Sequence, residues 1–156
     1  MERNATTVPV LPSGQIDKLF TTHSIKLGRL TGSGDIDSAR PGDEGLKVYV
    51  VPIDQANQPI KAAGDFTVDA FDLSAPDHPR IGHWTFPAER NQDLFYSMFT
   101  LYTYILPCPW QQLPKHNKIT IHVTFDDLLT HRRFELDKPL EIQPTAATLP
   151  ASQPSR

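Results

Sequence analysis

The chain has 156 residues, 38% hydrophobic and 21% charged, enough apolar length for one domain with its own core. Its 15 prolines disfavour a helical bundle, because proline is tolerated in turns, edges and tails but not inside helices. A formal charge of -3 with scattered lysine and arginine gives no field for nucleic acid, the single cysteine excludes an internal disulfide, and no apolar run approaches the roughly 18 residues of a membrane span.

Residues 1–22 read as a linker, with one helical turn in reach if Ser13 caps Ile16, Leu19 and Phe20. No signal-peptide core follows Met1. Ser24 to Leu30 alternates and reads as a first strand, followed by a long loop of turn formers from Thr31 to Gly45. Leu46 to Val51 is a second strand with Leu46, Val48 and Val50 inward, ended by Pro52. In the third, Phe66 to Leu73, Phe66, Val68 and Ala70 share one face while Phe71 and Leu73 fall on the other, which predicts a bulge or burial on both sides.

Ile81 to Phe86 is a fourth strand with Trp84 as its core anchor, and Glu89 to Phe95 a helical turn crossing between sheets. Tyr96 to Leu106 reads as one central strand stopped by Pro107-Cys108-Pro109-Trp110. Ile119, Ile121, Val123 and Phe125 alternate with Thr120, His122 and Thr124 in the sixth strand. Arg133 to Leu136, continuing through Leu140 to Ile142, is the seventh, and the Pro, Thr, Ala and Ser of residues 144–156 make a flexible tail. The reading is an all-β domain over 23–143, an antiparallel sandwich of about seven strands, immunoglobulin-like or transthyretin-like.

Candidate chemistry is sparse. Asp35, Asp37, Asp43 and Glu44 could converge on Ca²⁺, a hard cation taking about six to eight oxygens, although aspartate also favours turns for its own backbone hydrogen bonds. Tyr102 and Tyr104 share a strand face and with Trp110 could stack on a sugar, or serve as core. The six histidines show no metal spacing, and Cys108 lies between prolines without a local feature that would activate it. No nucleophile elbow, P-loop or dinucleotide fingerprint is present, so no catalytic residue and no cofactor other than Ca²⁺ is expected.

The block Gly34-Asp35-Ile36-Asp37, then Pro41-Gly42-Asp43-Glu44-Gly45-Leu46 and Pro52-Ile53-Asp54, resembles one found in uncharacterised planctomycete-type bacterial proteins. Ser38 stands where that block has glycine, and Ser38-Ala39-Arg40 lengthens the turn. The resemblance carries no activity. It implies an exported or envelope-associated β-module, reached through a segment upstream of Met1, with the cytoplasm as the other compartment. The expected function is a non-catalytic interaction or structural module whose partner is another protein or a neighbouring segment of an envelope assembly. The alternative is a ligand-binding module using the acidic 35–44 loop for calcium or the aromatic stripe for carbohydrate.

Overall fold

The computed structural model describes residues 20–36 and 44–142. The expected tail, and the expected linker up to Leu19, lie outside the described residues. Within them the chain is an all-β sandwich of two antiparallel sheets. The first sheet has the order β1-β3-β7-β6, from β1 (Ser24–Leu27), β3 (Glu44–Ile53), β7 (Leu101–Pro109) and β6 (Phe95–Met98), with β2 (Gly32–Asp35) also paired to β3. The second has the order β5-β4-β8-β9, from β5 (Arg80–Phe86), β4 (Gly64–Phe71), β8 (Lys118–Asp127) and β9 (Arg133–Glu141). A short helix α1 (Ala88–Asn91) and a 3-10 turn (Gln92–Leu94) carry the chain from β5 to β6.

Alternation in the sequence becomes burial. Leu46, Val48 and Val50 of β3 face Phe66, Val68 and Ala70 of β4 and Ile119, Ile121, Val123 and Phe125 of β8 in one core, and nearly all are fully buried. Each of these side chains larger than alanine contributes about 1.5 to 3 kcal/mol. Trp84 is buried as expected, and its indole N–H donates to the Pro109 carbonyl of the opposite sheet at 2.9 Å. The ring lies where a side chain on Gly82 would have to go, since a Cβ built there would fall 2.0 Å from the indole. The register break near Phe71 is a bulge of β5 and not of β4: Gly82 faces Ala70 and Arg80 faces Phe71, leaving Ile81 as the extra residue, while β4 keeps unbroken register with β8 and carries Phe71 half-buried on its outward side.

Three expectations need correction. The loop over 31–45 contains a strand: Gly32–Asp35 pairs with Lys47 to Glu44. From Leu27 to Gly32 the outer chain takes five steps while β3 takes three, from Val50 to Lys47, so residues 28–31 bulge outward. Thr31 closes the gap by accepting from the Tyr49 N–H at 3.0 Å through its hydroxyl. Second, Tyr96 to Leu106 is not one strand but a hairpin, in which Met98 pairs with Leu101 across Phe99 and Thr100. Third, Pro107 and Pro109 do not stop β7, which runs to Pro109. Beyond Tyr104 it has only β3 beside it, so the prolines' missing N–H groups fall on its open side.

Strand exits use a repeated device. Asp54, Asp72 and Asp127 are buried, and each turns a carboxylate oxygen onto backbone N–H groups ahead: Ala56 and Gln58, Ser74, and Leu129 and Thr130, respectively. The outer edges of the second sheet are protected. On β5 the Gln111 amide accepts from the His83 N–H at 2.8 Å and donates to the His83 carbonyl at 2.7 Å, imitating a neighbouring strand. On β9, Lys138 sits in the inward row beside Ile121 and Pro139 follows it, both of which discourage pairing with another chain.

Candidate functional site

Of the proposed calcium ligands, Asp37 and Asp43 lie outside the described residues. Asp35 and Glu44 are direct cross-strand partners of β2 and β3. Among the described residues no group of three His, Cys, Asp or Glu side chains is placed to hold a metal ion.

The aromatic stripe is divided by depth. Tyr104 is only 4% exposed, tilts against Phe66 across the core at 5.0 Å, and its hydroxyl donates to the Ala62 carbonyl at 2.9 Å and accepts from the Ala62 N–H at 3.2 Å. Burial raises its pKa. Tyr102 is half-buried edge-on to Phe95 at 4.5 Å, and Trp110 packs on the core past the end of β7. Tyr104 therefore offers no stacking face to a ligand. Cys108 is sealed in the core, where desolvation pushes its thiol far above the ordinary range and withholds the thiolate a nucleophile needs. Asp126 and Asp127 diverge as adjacent strand residues do: Asp126 pairs with Arg133 at the surface, while Asp127 is the buried turn former.

A cavity of about 480 Å³ opens where α1 crosses between the sheets, lined by Lys61, Ala62, Ala88, Gln92, Phe95 and Tyr104 among others. Several of its polar groups are already engaged. The Lys61 ammonium stands 4.7 Å over the Phe95 ring, the Tyr104 hydroxyl is shared with Ala62, and buried Asn91 donates to Gly64 and Phe86 carbonyls. The Asn91 Oδ1 has no partner but is closed off from solvent.

The sandwich's two outward faces differ sharply. Across the second sheet one register row reads His83, Asp69, His122, Asp137, one residue per strand. His83 contacts Asp69 at 2.5 Å, and His122 meets Asp137 through Nδ1 at 2.6 Å and Glu135 through Nε2 at 3.4 Å. The hydrogen bond that His122 donates to the Asp137 carboxylate raises the His122 pKa, against a smaller desolvation effect. Thr67, Thr85, Thr120 and Thr124 fill neighbouring outward positions.

Across the first sheet the outward rows hold Lys26 on β1, Lys47, Tyr49 and Val51 on β3, Leu101, Thr103, Ile105 and Pro107 on β7, and Tyr96 and Met98 on β6, with Thr103 itself buried. This face holds an apolar hole of about 140 Å³, walled by Leu30, Tyr49, Val51, Pro59 and Leu101. Gly28 keeps it open at the bulge, since a Cβ there would meet the Tyr49 Cβ at 2.9 Å. Leu30, 61% exposed, stands on the rim.

Beside the hole, at the tip of the β6–β7 hairpin, Phe99 is 99% exposed with φ 53°. Of the four described non-glycine residues with positive φ, the others are Asn57, His78 and His131, types that enter this region readily. A bulky aromatic does not, and here it gains no burial in return. Counting Phe99 as the middle of a strand hid it, and no Gly or Asn in Met98-Phe99-Thr100-Leu101 signals the turn.

Among the described residues no helix is long and apolar enough to cross a membrane, which says nothing of a β-barrel. Compared with protein-family models, characterised proteins and solved structures, the chain matches none.

Proposed function

We propose that this chain is a non-catalytic β-sandwich interaction module that engages its partner through the outward face of the first sheet. The observation that carries the reading is the contrast between faces. One is covered by Thr, His and Asp, while the other presents Tyr49, Val51, Ile105, Met98 and Leu101 around a preformed hole, with Lys26, Arg29 and Lys47 as its cations. A contiguous apolar patch of that kind is what a docking surface requires and what a solvated face avoids. The strand orders β1-β3-β7-β6 and β9-β8-β4-β5 correspond to the ABED and GFCC′ arrangement of immunoglobulin-type sandwiches, which favours that fold over a transthyretin-like one. Placement at a bacterial envelope is supported by the resemblance of the 34–46 loop block alone.

The test is capture by immobilised protein from an extract of the source cells. A partner held by the natural chain and by Asp69→Asn, but lost from Tyr49→Thr/Ile105→Thr, assigns docking to the first sheet. Equal capture by all three, or none by any from a chain that also stays monomeric at high concentration, overturns the reading.

Calcium binding keeps one supporting feature, the cross-strand pairing of Asp35 with Glu44. A Ca²⁺-dependent rise in melting temperature that Asp35→Ala abolishes would establish it.

A further inference from the structure

We propose that the outward face of the first sheet is the interface of a two-fold homodimer, in which the Phe99 ring of each copy fills the apolar hole of the other. This rests on the reading of that face as the docking surface, and it names the partner. Three observations carry it.

The first is Phe99 itself. Backbone sterics disfavour a bulky side chain at φ 53°, and a ring 99% exposed gains nothing from the core of its own chain. The two-residue turn between Met98 and Leu101 itself calls for positive φ at its first position, which Gly or Asn would supply without strain; what the fold does not explain is an exposed phenylalanine there, and that choice points to use in contact with something else. The second is fit. A hole of about 140 Å³ with mostly apolar walls has the size of cavities near 150 Å³ that take up benzene, so a phenyl ring is a matching occupant.

The third is position. Thr100 and Leu101, the two residues after Phe99, belong to the wall of the hole, so knob and hole are neighbours on one surface. A two-fold axis between them lets both insertions form in one compact, self-complementary patch, and the assembly closes at two copies. A foreign partner would have to supply a second aromatic knob and leave Phe99 to find another hole. A lipid surface would use the knob and leave the hole empty.

Size sets the strength. Strands about 4.8 Å apart and rising about 3.3 Å per residue give this face on the order of 400 Å² of flat area, against about 800 Å² of accessible surface per partner in a stable interface. The protruding hairpin and the Leu30 bend narrow the gap, and the pair is weak and concentration-dependent.

The experiment is sedimentation equilibrium of the full chain from about 1 μM to about 1 mM, with Phe99→Asp and Leu30→Arg compared after circular dichroism shows that each is folded. The natural chain shifts from monomer to dimer mass across that range, and each variant alone stays monomeric. An equimolar mixture of the two pairs again, more weakly than the natural chain, because Phe99 of the Leu30→Arg copy still finds an intact hole on the Phe99→Asp copy.

A natural chain monomeric throughout, Phe99→Asp pairing as well as the natural chain, or a mixture that does not pair overturns the proposal. If the chain is monomeric yet the extract experiment still shows capture lost with the first-sheet variant, the docking reading stands and the second copy is excluded as partner. A monomer that instead sediments with phosphatidylserine vesicles through Phe99 assigns the face to a lipid surface and excludes the dimer.

Discussion

The two outward faces of this sandwich are built on the same inner pattern and diverge only in what occupies the alternate positions. In the second sheet those positions carry charged and hydroxyl groups that satisfy one another across strands: Asp69 with His83 and Arg80, His122 with Asp137 and Glu135, Asp126 with Arg133. In the first sheet they carry tyrosine, valine, isoleucine, methionine and leucine beside an open hole, with Lys26 and Lys47 as the charges and no carboxylate set across from them in those rows. An antiparallel sheet with one wet face is the usual solution for an isolated sandwich. The lesson of the contrast is that the second sheet is finished with respect to water and the first is not.

The largest expected effect tests the frame common to both faces. Gly82→Ala places a methyl inside the Trp84 ring position and should cost about 2 to 3 kcal/mol in urea unfolding. Both faces should lose order together, because that indole links the sheets through Pro109. A loss below about 0.5 kcal/mol would show that the indole can move aside.

Phe99→Asn sharpens the contrast, because fold and docking should respond with opposite signs. Relief of the positive φ should stabilise the dilute chain by about 0.5 to 1 kcal/mol in the same assay, while self-association disappears. If Asn lowers stability, the ring has a structural role in its own chain.

Asp69→Ala should break the finished face alone. Losing the acceptor shared by His83 and Arg80 should cost about 1 kcal/mol and leave association untouched.

The smallest effect is a pH dependence at His122. Its folded pKa is raised, chiefly by the hydrogen bond with Asp137, so the pair's stabilisation is complete below the unfolded value and fades as pH rises through the folded one. The group is partly exposed, so about 0.5 kcal/mol or less is expected. His122→Gln should flatten that part of the stability profile. An unchanged profile would show that another titration dominates it.

Much of this architecture was legible because period-two alternation is a local signal. Ile119 to Phe125, Leu46 to Val50 and the anchor Trp84 announced themselves, whereas Phe71 drew attention to β4 when the extra residue, Ile81, lies in β5. The illegible parts owe their structure to neighbours. Gly32–Asp35 has no apolar pattern and is a strand because β3 lies beside it. Pro107 and Pro109 looked like terminators, but their unpaired side became visible only when β6 proved to cover no more than Leu101 to Tyr104.

The candidate surface was harder still. Outward apolar residues of β3 and β7 look like the second face of a buried strand until the other sheet is placed. The tight turn at Phe99 lacks the residue chemistry that would announce it. The acidic loop, by contrast, was conspicuous in sequence, yet half its candidate ligands fall outside the described residues.

The guarded rims of the second sheet have a consequence for crowding. With the Gln111 amide occupying one border and Lys138-Pro139 obstructing the other, added chains cannot extend that layer side by side. When molecules crowd together, the borders of this layer therefore offer a fibre no strand to template on.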